Sequence, residues 1–235
     1  MSITFLIPIY NEVKTVRKAI EETLKLDIPN KEIIIVDNNS YDGSKNIIEE
    51  YRNVKNIKIL FQSKNYGFGK SIQDGVLNSS NEFIYIQYGD LEYDINKSFE
   101  MLELIKKNNL DVVFASRLKN INSLSKMLNK LIKKPSYLAT IFCTFLINWF
   151  YKKNFTDIIG TKLYRRKTIQ PIIPKVSGQG FDFELVSLIC KNKLKVEEVY
   201  IDYVPRTNSG EKKIKFYHLI NAIYSILKIK FFKND

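Results

Sequence analysis

Residues 84–94 run an apolar stretch, Ile84, Tyr85 and Ile86, directly into carboxylates at Asp90, Glu92 and Asp94. In open α/β sheets ligands bind outside the carboxyl ends of the strands, so Asp90 and Glu92 would stand where a divalent cation bridges two phosphates. Two further β-rich runs end in polar clusters, Pro8 to Glu12 after the first and Asp37 to Ser44 after the second. The Asp37 carboxylate can accept a hydrogen bond from a base N–H, and the Tyr10 ring can pack on a base or ribose. Asn11 and Asp42 also read as helix N-caps and Gly43 as a turn residue, which is the preferred reading for Asp42 and Gly43. A fourth cluster, Asn65 to Ser71, contains Gly67 and Gly69, small enough to admit a nucleotide to the backbone, although turn geometry explains the same pattern nearly as well.

The elements that must position these residues alternate. Residues 2–8, 32–37, 57–62, 82–88 and 111–116 read as strands, and the first two are separated by Val13, Val16, Ile20 and Leu24 at helical spacing. Such alternation predicts βαβ units and a mostly parallel sheet flanked by helices. Past Arg117 the pattern changes to two successive helices over 121–151, the first basic and the second apolar. Strands over 162–165 and 195–204 are separated by a helix over 183–190, and residues 216–232 form a closing amphipathic helix with Lys228, Lys230 and Lys233 near its end. This gives an expected α/β domain over 1–210, divided at 117, and a basic C-terminal helix over 211–235.

With 235 residues the chain can bury a full core. Its formal charge of +12 and pI near 9.4 imply an anionic partner, either nucleic acid, a phosphorylated substrate or an acidic membrane. Zinc-ligand spacing, an RNP-type strand and a basic region followed by heptads are all missing, so nucleic acid is not expected. Cys143 and Cys190 lie in apolar surroundings and read as buried free thiols of a reducing compartment. The first residues already read as a strand and not as a leader, so a cytoplasmic location is expected. The uncharged run over 135–151 is flanked by Lys133, Lys134, Lys152 and Lys153 and carries Trp149 and Tyr151 near its end. It is short for a membrane span and fits either a helix lying in the membrane interface or an ordinary core helix. A homo-oligomer through the same helix is the competing use of its apolar surface. His218, the one histidine, has no neighbouring ligand and reads as structural.

Taken in order, the blocks resemble glycosyltransferase family 2, in its dolichyl-phosphate mannose synthase-like branch. The blocks are Pro8 to Glu12, Asp37 to Ser44, Asn65 to Gly69 with Gly75, Gln87 to Asp94, and Ala115 to Arg117. They continue with Thr156 and Asp157, Tyr164 to Arg166, Gly180 to Glu184 and Pro205 to Thr207, so the resemblance covers about nine tenths of the chain. It implies the GT-A fold and inverting transfer of a sugar from a nucleotide diphosphate donor, commonly to a polyprenyl phosphate, at the inner face of the cell membrane. Pro8, Tyr10, Glu12 and Asp37 match base- and ribose-holding positions, with Gly67 beside them. Asp90 matches the family's metal-binding aspartate, and Glu92 falls at a second oxygen ligand for Mg²⁺ or Mn²⁺. Ser116, Arg117 and Arg206 match positions near the donor and acceptor phosphates.

That chemistry needs negative charge stabilised on a leaving diphosphate, which a cation at Asp90 and Glu92 together with Arg206 would supply. A phosphate acceptor is already ionised, whereas a sugar hydroxyl, as in surface polysaccharide assembly, requires a base. Asp182 or Glu184 is the candidate, and Asp182 reads equally as a helix N-cap. Tyr88 stands where the family pattern has an acid, and Asn38 where it has the second of paired aspartates. Fewer carboxylates predict weak metal binding, and a catalytically degenerate nucleotide-sugar-binding relative is the alternative.

Overall fold

The computed structural model describes residues 2–119, 136–173, 180–204 and 216–232. Seven strands form one sheet in the order β3-β2-β1-β4-β6-β5-β7. The strands are β1 (Ile3–Ile9), β2 (Lys31–Asp37), β3 (Ile57–Phe61), β4 (Phe83–Ile86), β5 (Val112–Ser116), β6 (Lys162–Arg165) and β7 (Val196–Tyr200). The first four pair in parallel, and β5 pairs in parallel with β7. Strand β6 is inserted antiparallel between β4 and β5.

Both faces of the sheet are covered, which is why β1, β4, β5 and the Ile33–Val36 run of β2 are almost continuously apolar. The two-residue side-chain period sends Phe5 and Ile7 of β1 to one face and Leu6 to the other. The first face carries α1 (Val16–Lys25), α2 (Ser44–Glu49) and α4 (Lys97–Lys107), packed through Val16, Ile20, Ile48, Met101 and Leu102. The second carries α3 (Phe68–Asn78), α5 (Ser136–Tyr151), α7 (Phe181–Lys191) and α8 (Phe216–Leu227), packed through Ile72, Val76, Cys143, Ile147, Leu185 and Ile226. A short α6 (Arg166–Ile169) follows β6, and a π-helical turn (Lys228–Phe232) continues α8. Every strand and helix expected within the described residues is present. The run expected over 82–88 is shorter as a strand, because the chain leaves the sheet after Ile86 to form the acidic loop. The basic helix expected over 121–135 lies outside the described residues.

Two glycines let layers approach closely. A Cβ on Gly75 of α3 would lie 2.1 Å from Leu6 Cδ1, so this glycine sets the distance of α3 from the sheet. On Gly160, just before β6, a Cβ would lie 1.8 Å from the Ala115 carbonyl oxygen. Backbone cannot yield as a flexible side chain can, so Gly160→Ala is expected to cost about 3 kcal/mol, the upper part of the usual overpacking range. Thermal unfolding of the variant should show a correspondingly lower midpoint, with Gly75→Ala as a milder comparison because Leu6 can change rotamer.

Candidate active site

The polar loops gather at the carboxyl ends of β1, β2 and β4, and backbone hydrogen bonds to side chains knit them together. Asn11 N–H donates to Ser40 Oγ at 2.9 Å, Glu12 N–H to Ser44 Oγ at 2.8 Å and Val13 N–H to Asp42 Oδ2 at 2.9 Å. In return Tyr41 N–H donates to Asn11 Oδ1 at 3.0 Å. Neither expected N-cap occupies a cap position. Asn11 has φ 57° and precedes α1, which starts after Thr15, while Gly43, with φ 101°, is the residue before α2. Asp42 instead braces the first loop against the second.

Asn38 has the same kind of work. Its Nδ2 donates to Asn65 Oδ1 at 2.9 Å, and its Oδ1 accepts from Tyr66 N–H at 2.8 Å. A carboxylate could not donate to Asn65, so the amide at this position has a structural cause. Asp37 closes β2 and is buried, with both oxygens accepting from Ser40 N–H at 3.2–3.3 Å. Tyr10 meets the exposed Tyr41 edge-on at 6.2 Å, and Gly67, with φ 90°, precedes α3. Pro8 and Glu12 border the acidic loop: a Cβ on Gly89 would lie 3.6 Å from the Pro8 carbonyl oxygen and 3.8 Å from Glu12 Cγ. These five expected nucleotide-binding residues, Pro8, Tyr10, Glu12, Asp37 and Gly67, therefore share one rim of the sheet.

Next to that rim is a cleft of about 320 Å³. Asp90, Glu92, Arg117 and Asp182 all line it, together with Thr140, Ile159 and four aromatic residues that sequence reasoning passed over or treated only as a departure. Asp90 and Glu92 are placed by a tight turn in which Leu91 has φ 60° and Glu92 N–H donates to Asp90 Oδ1 at 3.1 Å. Tyr93 then bridges to Tyr203, and Val204 N–H donates to the Glu92 carbonyl at 3.1 Å, so the segment after β7 clasps the acidic loop.

Tyr88 is part of an aromatic wall. Its ring stacks on Phe68 at 5.6 Å and 6° and tilts against Tyr93 at 5.5 Å; Tyr93 in turn meets Tyr203 at 5.5 Å. Burial, reinforced by the charge of Asp182, pushes the Tyr88 hydroxyl well above the ordinary phenol range, so it stands in the cleft as a neutral phenol.

Arg117 is held by Asp157. Its Nε and NH2 donate to the two Asp157 oxygens at 2.6 and 3.0 Å, its own N–H adds a third bond at 3.1 Å, and its guanidinium lies 5.5 Å from the Tyr203 ring centroid. Ser116 does not reach the cleft. It is fully buried, its hydroxyl is 2.6 Å from Thr156 Oγ1 and accepts from Leu118 N–H at 3.1 Å, so it supports the Arg117 turn. Asp182 sits in the first turn of α7 without capping it, and its Oδ1 accepts from the Lys162 ammonium at 2.7 Å. Glu184, the other candidate base, is buried and does not line the cleft. Arg206 and the basic stretch over 210–214 lie outside the described residues, as does the side chain of His218. Cys143 and Cys190 are buried free thiols pushed up to about 11 and about 12 by burial, so both are inert.

The model of the family described as Glycosyl transferase family 2 matches residues 4–172. A dolichyl-phosphate beta-glucosyltransferase of Dictyostelium discoideum is 26% identical over 249 residues, covering 97% of this chain and 74% of that protein. A cholesterol galactosyltransferase of Borreliella burgdorferi is 26% identical over 211 residues, and the chain there spans 56% of the relative's length and is itself covered over 84%. Among solved structures, glucosyl-3-phosphoglycerate synthase of Mycobacterium tuberculosis in complex with Mn²⁺, UDP and phosphoglyceric acid superposes with a TM-score of 0.71. The identity is 11%, with 100% of this chain and 80% of that one covered. At that identity the likeness establishes the fold, GT-A, with a mostly parallel sheet flanked by helices.

Asp157 supplies a pH test of the site's framework. Burial pushes its carboxyl up, but the charge and hydrogen bonds of Arg117, with the N–H groups of Ile159 and Arg117, outweigh this and hold it below the usual carboxylate range. A depressed folded value means that its contribution is present above the unfolded value of about 3.9 and is lost as pH falls through the folded one. Asp157→Asn is expected to remove this acid dependence and to cost about 3–5 kcal/mol at neutral pH, since it takes the opposing charge away from a buried guanidinium. Urea unfolding of both proteins between pH 7 and pH 3 checks this.

Proposed function

The chain belongs to glycosyl transferase family 2, and from that premise we propose that it transfers a sugar from a nucleotide diphosphate donor to a lipid-linked acceptor, such as a polyprenyl phosphate, at a membrane surface, with inversion at the anomeric carbon. The observation that carries the acceptor class is the double use of α5. Thr140 of this helix lines the cleft, while Leu138, Phe142, Phe145 and Trp149 of the same helix are exposed in one stripe. Ile220, Tyr224 and Phe231 extend the apolar surface from α8 and its π-helical turn, which α5 meets where Phe150 packs edge-on to Phe231 at 5.7 Å. Large apolar side chains exposed together mark an interaction surface. Beside the lysines that follow both helices, it suits the interface of an anionic bilayer. Among the described residues no helix is long and apolar enough to cross a membrane, so the contact is read as peripheral. The buried Cys143 and Ile147 on the inner side of α5 show that this helix is core and surface at once.

The rim of Pro8, Tyr10, Glu12, Asp37 and Gly67 would hold the nucleotide, and Asp90 and Glu92 would then face its diphosphate. Among the described residues no three or more His, Cys, Asp or Glu side chains form a group able to hold a metal ion. Asp90 and Glu92 therefore fit Mg²⁺ or Mn²⁺ only as partial ligands, with the donor's phosphate oxygens completing the set. When bound, such a cation neutralises charge growing on the leaving diphosphate. The chain's own part is to align donor and acceptor along the aromatic wall and to exclude water from the reacting carbon. Arg206 remains the residue proposed to face the phosphates. Residues 1–117 are proposed as the donor half, 118–210 as the acceptor half and 211–235 as the basic membrane-facing end, with the protein on the inner face of the cell membrane.

Nucleotide release from a panel of UDP- and GDP-sugars, with Mn²⁺ and a membrane lipid extract, tests the activity. Release that depends on the extract is expected; binding of nucleotide without hydrolysis or transfer would leave a degenerate binder instead. Calorimetry with Mn²⁺ should show weak binding to the protein alone and at least about tenfold tighter binding with UDP or GDP present, following ligand charge and count. Tyr88→Asp should raise the affinity without nucleotide while lowering the unfolding temperature, because the stack on Phe68 is lost. Flotation with anionic liposomes should fall sharply for Phe145→Ser with Trp149→Ser, whereas unchanged flotation and a concentration-dependent dimer would assign the stripe to a homo-oligomer.

A further inference from the structure

Resting on the transferase reading, and on Asp182 as the candidate base for a hydroxyl acceptor, we infer that Lys162 is the residue that positions Asp182 for that role. Lys162 lies on β6 with its side chain 2% exposed. Its ammonium donates to Asp182 Oδ1 at 2.7 Å and to the Gly160 carbonyl at 3.0 Å, and it stands 5.7 Å from the Phe114 ring centroid. A buried ion pair is seldom more stable than apolar side chains filling the same space, so core packing does not account for it. Helix capping does not account for Asp182 either, because α7 begins after a left-handed Gly180 and has no side-chain cap bond. The buried Arg117–Asp157 pair is different in kind. Asp157 also takes the N–H groups of Arg117 and Ile159 and so closes a turn, whereas Asp182 binds no backbone group among the described residues and faces the cleft.

With Oδ1 tied to Lys162, Asp182 keeps one orientation and presents Oδ2 in the cleft that Asp90 and Glu92 also line. The acceptor oxygen attacks the anomeric carbon, and the bond from that carbon to the diphosphate oxygen breaks with its electron pair leaving on the diphosphate. The hydroxyl proton passes to Asp182 Oδ2. A phosphate acceptor brings no proton to remove, so within the proposed lipid-linked class this role narrows the acceptor to one that attacks through a hydroxyl and departs from the polyprenyl-phosphate example. Lys162 touches neither reactant; it acts by holding the carboxylate, and displacement of a catalytic group by about 1 Å costs on the order of 10²-fold in rate.

The test measures transfer from UDP-glucose, UDP-galactose and GDP-mannose to dodecyl β-glucoside, a hydroxyl acceptor, and to farnesyl phosphate, with donor KM and kcat determined separately. For the glucoside, Asp182→Asn should lower kcat by about 10²-fold or more. Lys162→Met should lower it by at least about 30-fold with donor KM within about twofold, and Lys162→Arg should restore part of the loss. The double variant Lys162→Met with Asp182→Asn removes both charges and so leaves no carboxylate without its partner. Its kcat should equal that of Asp182→Asn alone, as expected for residues acting as one unit. Lys162→Met at wild-type kcat overturns the inference, as does transfer only to farnesyl phosphate with Asp182→Asn unimpaired; in both cases the transferase reading stands. No nucleotide release by the wild type with any donor and acceptor overturns that reading and the inference together.

Discussion

Strand β6 enters the sheet antiparallel between β4 and β5, and the geometry of the cleft follows from how tightly it is held there. Gly160 passes against the Ala115 carbonyl with no room for a side chain, and Thr161 donates its hydroxyl to the Ile86 carbonyl at the point where β4 ends. These contacts bring Lys162 opposite Phe114 in register and set its ammonium beneath α7. The same crossing puts Asp157 within reach of Arg117. Three segments distant in sequence thus meet at one place because a single short strand runs against its neighbours.

Two of the charged residues that line the cleft, Arg117 and Asp182, are held by partners behind it. Arg117 is matched by Asp157 and Lys162 by Asp182, each pair largely withdrawn from water. Such pairs contribute little net stability over apolar packing, but removing one partner is costly, so they hold side-chain geometry firmly. Glu198 extends the framework, accepting from the N–H groups of Thr156 and Asp157, and burial raises its carboxyl above the usual value. Between the pairs runs the aromatic wall of Phe68, Tyr88, Tyr93 and Tyr203. Tyr88 exchanges a potential metal ligand for ring contacts, which explains how an acid can be lost from the acidic loop without loosening it.

A surface that is apolar on α5 and α8 and basic in overall balance sits beside a cleft that α5 helps to build. The helix is stable in this position because Cys143 and Ile147 are anchored in the core. Its outward residues Leu138, Phe142, Phe145 and Trp149 are exposed, and on the proposed reading they face the membrane. On the proposed reading, donor binding at the sheet rim and acceptor approach along α5 use different parts of the fold, with the acidic loop and Asp182 lining the cleft between them.

The strands, most of the helices and the polar loops could be read from the sequence because each depends on local spacing: alternation and apolar runs for the sheet, helical periodicity for its covering, and carboxylates immediately after an apolar run for the acidic loop. The placement of Pro8 to Glu12, Asp37 and Asp90 at strand exits was legible for that reason. The roles of Asn38, Ser116 and Lys162 were not. Asn38 looks like a missing acid until Asn65 and Tyr66 are seen to need its amide, and Ser116 looks like a phosphate ligand until Thr156 is found beside it. Lys162 gave no such signal, because it opens a four-residue strand that ends in another charge, Arg165. Its partner lies twenty residues away on α7, and only the antiparallel insertion of β6 brings the two together. Spacing along a chain encodes which face a residue occupies, whereas hydrogen bonds between distant loops are decided by how strands cross, and that is a property of the assembled sheet.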